Sequence, residues 1–93
     1  MRKLTTTNLE LAVWIAKLGS FTAAADRMHT TQPAVSARVK ELEDILGLRL
    51  FVRQGRGVEL TPEGREFVAK AEAVLKDIDA LSCTFGKEQL AGV

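Results

Sequence analysis

The polar residues with chemistry to offer cluster in two short stretches of this 93-residue chain. The first is Thr30-Thr31-Gln32-Pro33, followed at helical spacing by Ser36, Arg38 and Lys40; the second is Arg53 with Arg56. A glutamine amide presents a donor and an acceptor side by side, which matches adenine and can bond other base edges. A serine hydroxyl can donate to a phosphate or a base, and lysine and arginine meet backbone phosphates. The chemistry on offer is therefore hydrogen bonding and charge pairing with a polyanion. Each residue also has a plainer reading. Gln32 suits a helix start, Lys40 a solvated surface, and Arg53 and Arg56 a solvated loop. Arg38 is open between a groove contact and an internal ion pair, and Thr30 and Thr31 are caps before they are phosphate contacts.

Covalent and metal chemistry have little to work with. One histidine, His29, and one cysteine, Cys83, stand outside any metal-ligand spacing. Neither a Walker loop nor a dinucleotide fingerprint occurs. The acidic residues fall mostly on expected helix surfaces. The expectation is a non-enzyme without cofactor or metal, with Cys83 a small, partly buried residue. A lone cysteine and the lack of a signal-peptide core or a membrane-length apolar run place the chain in the cytoplasm.

The elements that must hold these residues follow from caps and periodicity. Thr5, Thr6 and Thr7 offer N-caps for a first helix ending near Leu18, with Gly19 as its stop. A short alanine-rich helix spans Thr22 to Met28, and His29-Thr30 form a turn. Thr31 caps a third helix with Pro33 in its first turn. Val35, Val39, Leu42 and Leu46 make its buried stripe, and Gly47 ends it. At about 100° per residue, Pro33, Ser36, Ala37 and Lys40 then face outward, with Gln32 reaching end-on. The acidic Glu41, Glu43 and Asp44 lie in later turns, away from that end. Strand-like segments Arg49–Arg53 and Val58–Thr61 flank Gln54-Gly55-Arg56-Gly57, the pattern of a hairpin. Thr61-Pro62-Glu63 then opens a last helix.

This order predicts a mainly α fold: a winged helix-turn-helix over residues 1–61, made of three helices and a short β-hairpin wing. A long linker or dimerisation helix and the start of a hinge occupy 62–93. Phe67, Ala71, Val74, Ile78, Leu81 and Phe85 recur every three or four residues, a heptad-like seam. A second copy of the chain is the expected cover for it, helped by the first helix and Trp14. The net charge of +1 hides an asymmetry: residues 1–65 hold ten Lys/Arg against seven Asp/Glu, and 66–93 hold three against five. The N-terminal part thus favours an anionic partner. The rival reading, a helical protein-interaction module dimerised through the last helix, leaves the Gly-Arg hairpin and Gln32 without a purpose.

Several linked motifs carry a family resemblance. Gly19-Ser20-Phe21-Thr22-Ala23-Ala24-Ala25, Thr31-Gln32-Pro33-Ala34-Val35-Ser36, Leu42-Glu43 and Leu46-Gly47 resemble the LysR-type transcriptional regulators. So do Leu50-Phe51-Val52-Arg53, Arg56 and Leu60-Thr61-Pro62-Glu63-Gly64, the match running over Leu9 to Leu81. The resemblance implies a bacterial regulator that binds double-stranded DNA at an inverted-repeat operator as a homodimer, the full-length protein being a dimer or a tetramer. It implies that Gln32 reads a base, that Pro33 and Ser36 lie against the DNA, that Arg53 meets the backbone and that Arg56 enters the minor groove. Many members carry arginine directly after the serine, where this chain has Ala37 and then Arg38. The family's effector-binding domain would begin near Leu90-Ala91-Gly92-Val93, and the expectation is that this chain lacks it.

Overall fold

The structure, a computed structural model, describes residues 3–85. Six elements follow one another: α1 (Thr6–Leu18), α2 (Phe21–Arg27), α3 (Gln32–Leu46), β1 (Phe51–Gln54), β2 (Gly57–Leu60) and α4 (Pro62–Phe85). The winged helix-turn-helix with a long terminal helix is thus the architecture of the chain. The hinge expected at Leu90–Val93 lies outside the described residues.

Side-chain hydroxyls start the first three helices. The Asn8, Ala23 and Ala34 N–H groups donate to Thr5, Ser20 and Thr31 at 3.2, 3.1 and 3.3 Å, each satisfying a first-turn donor that has no partner within the helix. Gly19 and Gly47 close α1 and α3. The turn between α2 and α3 bends at His29, whose φ of 58° lies in the left-handed region that few side chains enter. Thr30 N–H, donating to the Ala25 carbonyl at 2.9 Å, locks that turn.

The core gathers one face of each helix. Leu11, Ile15, Val35, Leu42 and Leu50 are its largest fully buried side chains. Ala24 and Ala25 are buried as well, and their small size lets α2 approach its neighbours closely. Leu46, the last position of the expected stripe on α3, is only half-buried.

The hairpin is tighter than its glycines suggested. Phe51 pairs with Leu60 and Gln54 with Gly57, so only Gly55 and Arg56 form the turn. Gly55 takes a φ of 55° while Arg56 stays out of the left-handed region, the sign pattern of a type II′ turn. Val58 N–H donates to the Gly19 carbonyl at 3.1 Å, tying the wing to the end of α1.

Thr61 welds α4 to the entry of the wing. Its N–H donates to the Leu50 carbonyl at 2.9 Å, its hydroxyl donates to the Arg49 carbonyl at 2.6 Å, and that hydroxyl accepts from Gly64 N–H at 2.9 Å. Gly64 is buried here because a Cβ would collide with the Leu50 carbonyl oxygen. From that anchor α4 packs on α1 with Val68 and Ala71 buried and Leu75 partly so. Its 24 residues extend about 36 Å. Its C-terminal half outruns the core, leaving Ile78 36%, Leu81 61% and Phe85 75% exposed.

Candidate nucleic-acid interface

The N-terminal end of α3 and the hairpin present their polar residues to solvent. Thr30, Thr31, Pro33, Arg38 and Lys40 are exposed, and Gln32 and Ser36 are half-buried. Gln32 and Ser36, one helical turn apart, are joined: Gln32 Nε2 donates to Ser36 Oγ at 2.8 Å. That bond leaves Gln32 one N–H and its amide oxygen for another partner, and it leaves the Ser36 hydroxyl proton free to donate outward. The side chain that could read a base is therefore held in place before any partner arrives.

The wing supplies the cations. Arg53 on β1 and Arg56 at the turn are both exposed. Between α3 and the hairpin runs a cleft of about 180 Å³ whose lining includes Ser36, Lys40, Arg49 and Arg53. Arg38, left open between two roles, makes no ion pair within 4 Å among the described residues, where Lys17–Glu72 and Arg49–Glu43 are the pairs formed.

Glu43, read with Glu41 and Asp44 only as acidity in the later turns of α3, has a role that the sequence reading missed: its carboxylate accepts from the N–H groups of Leu50 and Phe51. Its position in Leu42-Glu43, beside a buried leucine, was the available signal.

The expected dimer seam divides. Val74, Ile78, Leu81 and Phe85 form an exposed apolar row along α4. Ala71 is a correction: it is 3% exposed and buried in the chain's own core, so it has almost no surface to give a partner. Phe67 is half-buried against the same core. Trp14 is half-buried too, with the Arg27 guanidinium 4.1 Å and the Lys17 ammonium 5.7 Å from its ring centroid. Cys83 is a second correction, being exposed rather than partly buried, because among the described residues nothing packs over it at the end of α4. Among the described residues no helix is long and apolar enough to cross a membrane.

Comparison with known proteins decides the family. The profile described as "Bacterial regulatory helix-turn-helix protein, lysR family" matches residues 6–65, from the first residue of α1 into α4. The chain belongs to the LysR family.

Among curated LysR-family relatives, the uncharacterized HTH-type transcriptional regulator YcgK of Bacillus subtilis is 47% identical over 73 residues, 78% of this chain and 22% of YcgK. The HTH-type transcriptional regulator CfxR of Cupriavidus necator is 38% identical over 78 residues, 84% of this chain and 25% of CfxR. The chain thus spans about a quarter or less of these two regulators. Among solved structures, the BenM DNA-binding domain in complex with catB site 1 DNA is similar at a TM-score of 0.86 and 31% identity, over 97% of this chain and 98% of that one. A full-length OxyR variant from Pseudomonas aeruginosa reaches a TM-score of 0.82 at 40% identity, over 95% of this chain and 30% of that one.

Proposed function

We propose that this LysR-family chain reads duplex DNA as a homodimer in a bacterial transcriptional regulator, without catalysis, in the cytoplasm. Residues 1–61 are the reading unit, and residues 62–93 hold the linker helix, through which two copies join, and the start of a hinge. The observation that carries this reading is the Gln32–Ser36 pair at the N-terminal end of α3, whose Ser36 lines a cleft together with Arg53 of the wing. A helix end of this kind enters the major groove with its first residues on base edges. Gln32 takes the base, Ser36 and Lys40 lie against the strand, Thr30, Thr31, Pro33 and Arg38 line the approach, and Arg53 and Arg56 hold the flanking backbone and minor groove. The BenM neighbour, crystallised with a catB site, supports that docking. Trp14, Phe67, Val74, Ile78, Leu81 and Phe85 supply the contact between copies, which sets two α3 helices on the two halves of an inverted repeat.

The test is duplex binding as a function of salt, with Gln32→Ala beside the unaltered chain. Binding should weaken steeply with salt as counterions return to the phosphates. Gln32→Ala should lose about 1–3 kcal/mol of discrimination at one position in each half-site. A chain that ignores duplex DNA at every salt concentration would instead be a protein-interaction module.

A further inference from the structure

Phe21, the first residue of α2, has a relationship to the wing that its sequence position does not suggest. The Arg53 guanidinium carbon lies 5.0 Å from the Phe21 ring centroid. The Phe21 ring meets Phe51 edge to face, with centroids 6.1 Å apart and planes at 89°. Phe51 is buried, and its N–H is bonded to Glu43, so the ring beneath Arg53 rests on a fixed neighbour. An arginine on an exposed hairpin otherwise has many rotamers to surrender when it meets a phosphate. A guanidinium laid on an aromatic face is restrained, yet keeps its in-plane N–H donors for an anion. Phe21 also lines the cleft between α3 and the hairpin, together with Ser36, Lys40 and Arg53. Glu43, the one acid in that lining, has a carboxylate oxygen already occupied by the Leu50 and Phe51 N–H groups.

We propose that Phe21 is a positioning residue for Arg53, holding its guanidinium at this cleft so that Arg53, Lys40 and Ser36 form a seat for one phosphate of the DNA backbone. The inference rests on the DNA-binding reading given above.

The experiment is a mutant cycle of Phe21→Leu, Arg53→Ala and the double variant, each titrated with a mixed-sequence duplex between about 50 and about 200 mM salt. Phe21→Leu should weaken binding about three- to fivefold at the low end, the size of an exposed cation–π contact. It should also reduce the dependence of log affinity on log salt, toward that of Arg53→Ala, which should fall by about 0.9 for one lost phosphate. The double variant should bind no more weakly than Arg53→Ala. Equal losses from Phe21→Leu with and without the Arg53 side chain would show that Phe21 acts only through the fold, overturning the proposal. Unchanged affinity and salt dependence in Phe21→Leu would also overturn it. Pentafluorophenylalanine at position 21 keeps the ring's shape while reversing the charge of its face. It should reproduce the loss, and unchanged binding by that protein would overturn the proposal even were Phe21→Leu to unfold. Failure of the unaltered chain to bind duplex would overturn the functional reading itself, and this inference with it.

Discussion

The Glu43 carboxylate holds the start of the wing through Leu50: Oε2 accepts from Leu50 N–H at 2.7 Å and from Phe51 N–H at 3.2 Å. Oε1 lies 3.7 Å from Arg49 Nε, and the side chain is only 15% exposed. Leu50 in turn offers its carbonyl to Thr61 N–H, so one carboxylate on α3 sets the path of the chain as far as α4. Glu43→Ala removes the shared acceptor of two N–H groups, and hydrogen bonds to a charged group are each worth about 1.5–3 kcal/mol. Chemical denaturation should show a loss of about 2–3 kcal/mol, with Glu43→Gln losing less because one acceptor oxygen remains. Equal stability of all three proteins would remove this anchor from the account.

Gly64 makes the same junction intolerant of a side chain. A Cβ there would meet the Leu50 carbonyl oxygen, with the Leu50 carbonyl carbon at 3.0 Å and Leu60 Cδ2 at 3.1 Å. The obstruction is backbone already committed to Thr61, so it cannot swing aside. Gly64→Ala should therefore cost about 3 kcal/mol, the upper part of the usual range for overpacking. Helix propensity alone predicts a gain of about 1 kcal/mol for the same change, so the sign of the measured change in unfolding free energy separates the two effects.

Arg56 stands at a two-residue turn, beyond the last strand pair Gln54–Gly57. Narrow A/T-rich minor grooves concentrate negative potential and attract arginine. Arg56→Ala should weaken binding about tenfold, ~1.4 kcal/mol, on duplexes with A/T-rich flanks and distinctly less on G/C-rich ones. Equal losses on both would make it a plain phosphate contact.

Ile78 and Ala71 lie in one heptad row but differ in their surroundings. Ile78 is 36% exposed in the single chain, whereas Ala71 is buried in the core. Ile78→Glu should yield folded monomers in sedimentation velocity, because a dimer would have to bury an unpaired carboxylate. Ala71→Glu should instead lower the thermal stability of the chain itself. A dimer that survives Ile78→Glu would place the contact between copies elsewhere.

Local rules carried much of this fold, and their failures have a common origin. Caps such as Thr5 and Thr31, and the stops Gly19 and Gly47, depend on residues within a turn of each other and are legible in one dimension. The inward stripe Val35, Val39 and Leu42 follows from helical period alone. Glu43 was opaque because its partners are seven and eight residues ahead, beyond a reversal whose path the sequence does not draw. The seam on α4 was read as one surface because a three-and-four spacing marks a face without naming what covers it. Val68 and Leu75, outside that spacing, turn out to pack inward beside Ala71. The contact of Phe21 with Arg53 spans α3 entirely and no local pattern encodes it. At the site, the residue types of Gln32 and Ser36 were visible, but the bond that orders one against the other depends on side-chain rotamers that helical spacing does not fix.

The most direct test of the central claim is selection from a random duplex library by the unaltered chain at near-physiological salt. The account predicts enrichment of an inverted repeat whose half-sites lie about one helical turn apart on one face of the duplex. Enrichment of a single half-site would contradict the paired geometry. No enrichment, from a chain that sediments as a dimer, would contradict sequence reading by the Gln32 end of α3.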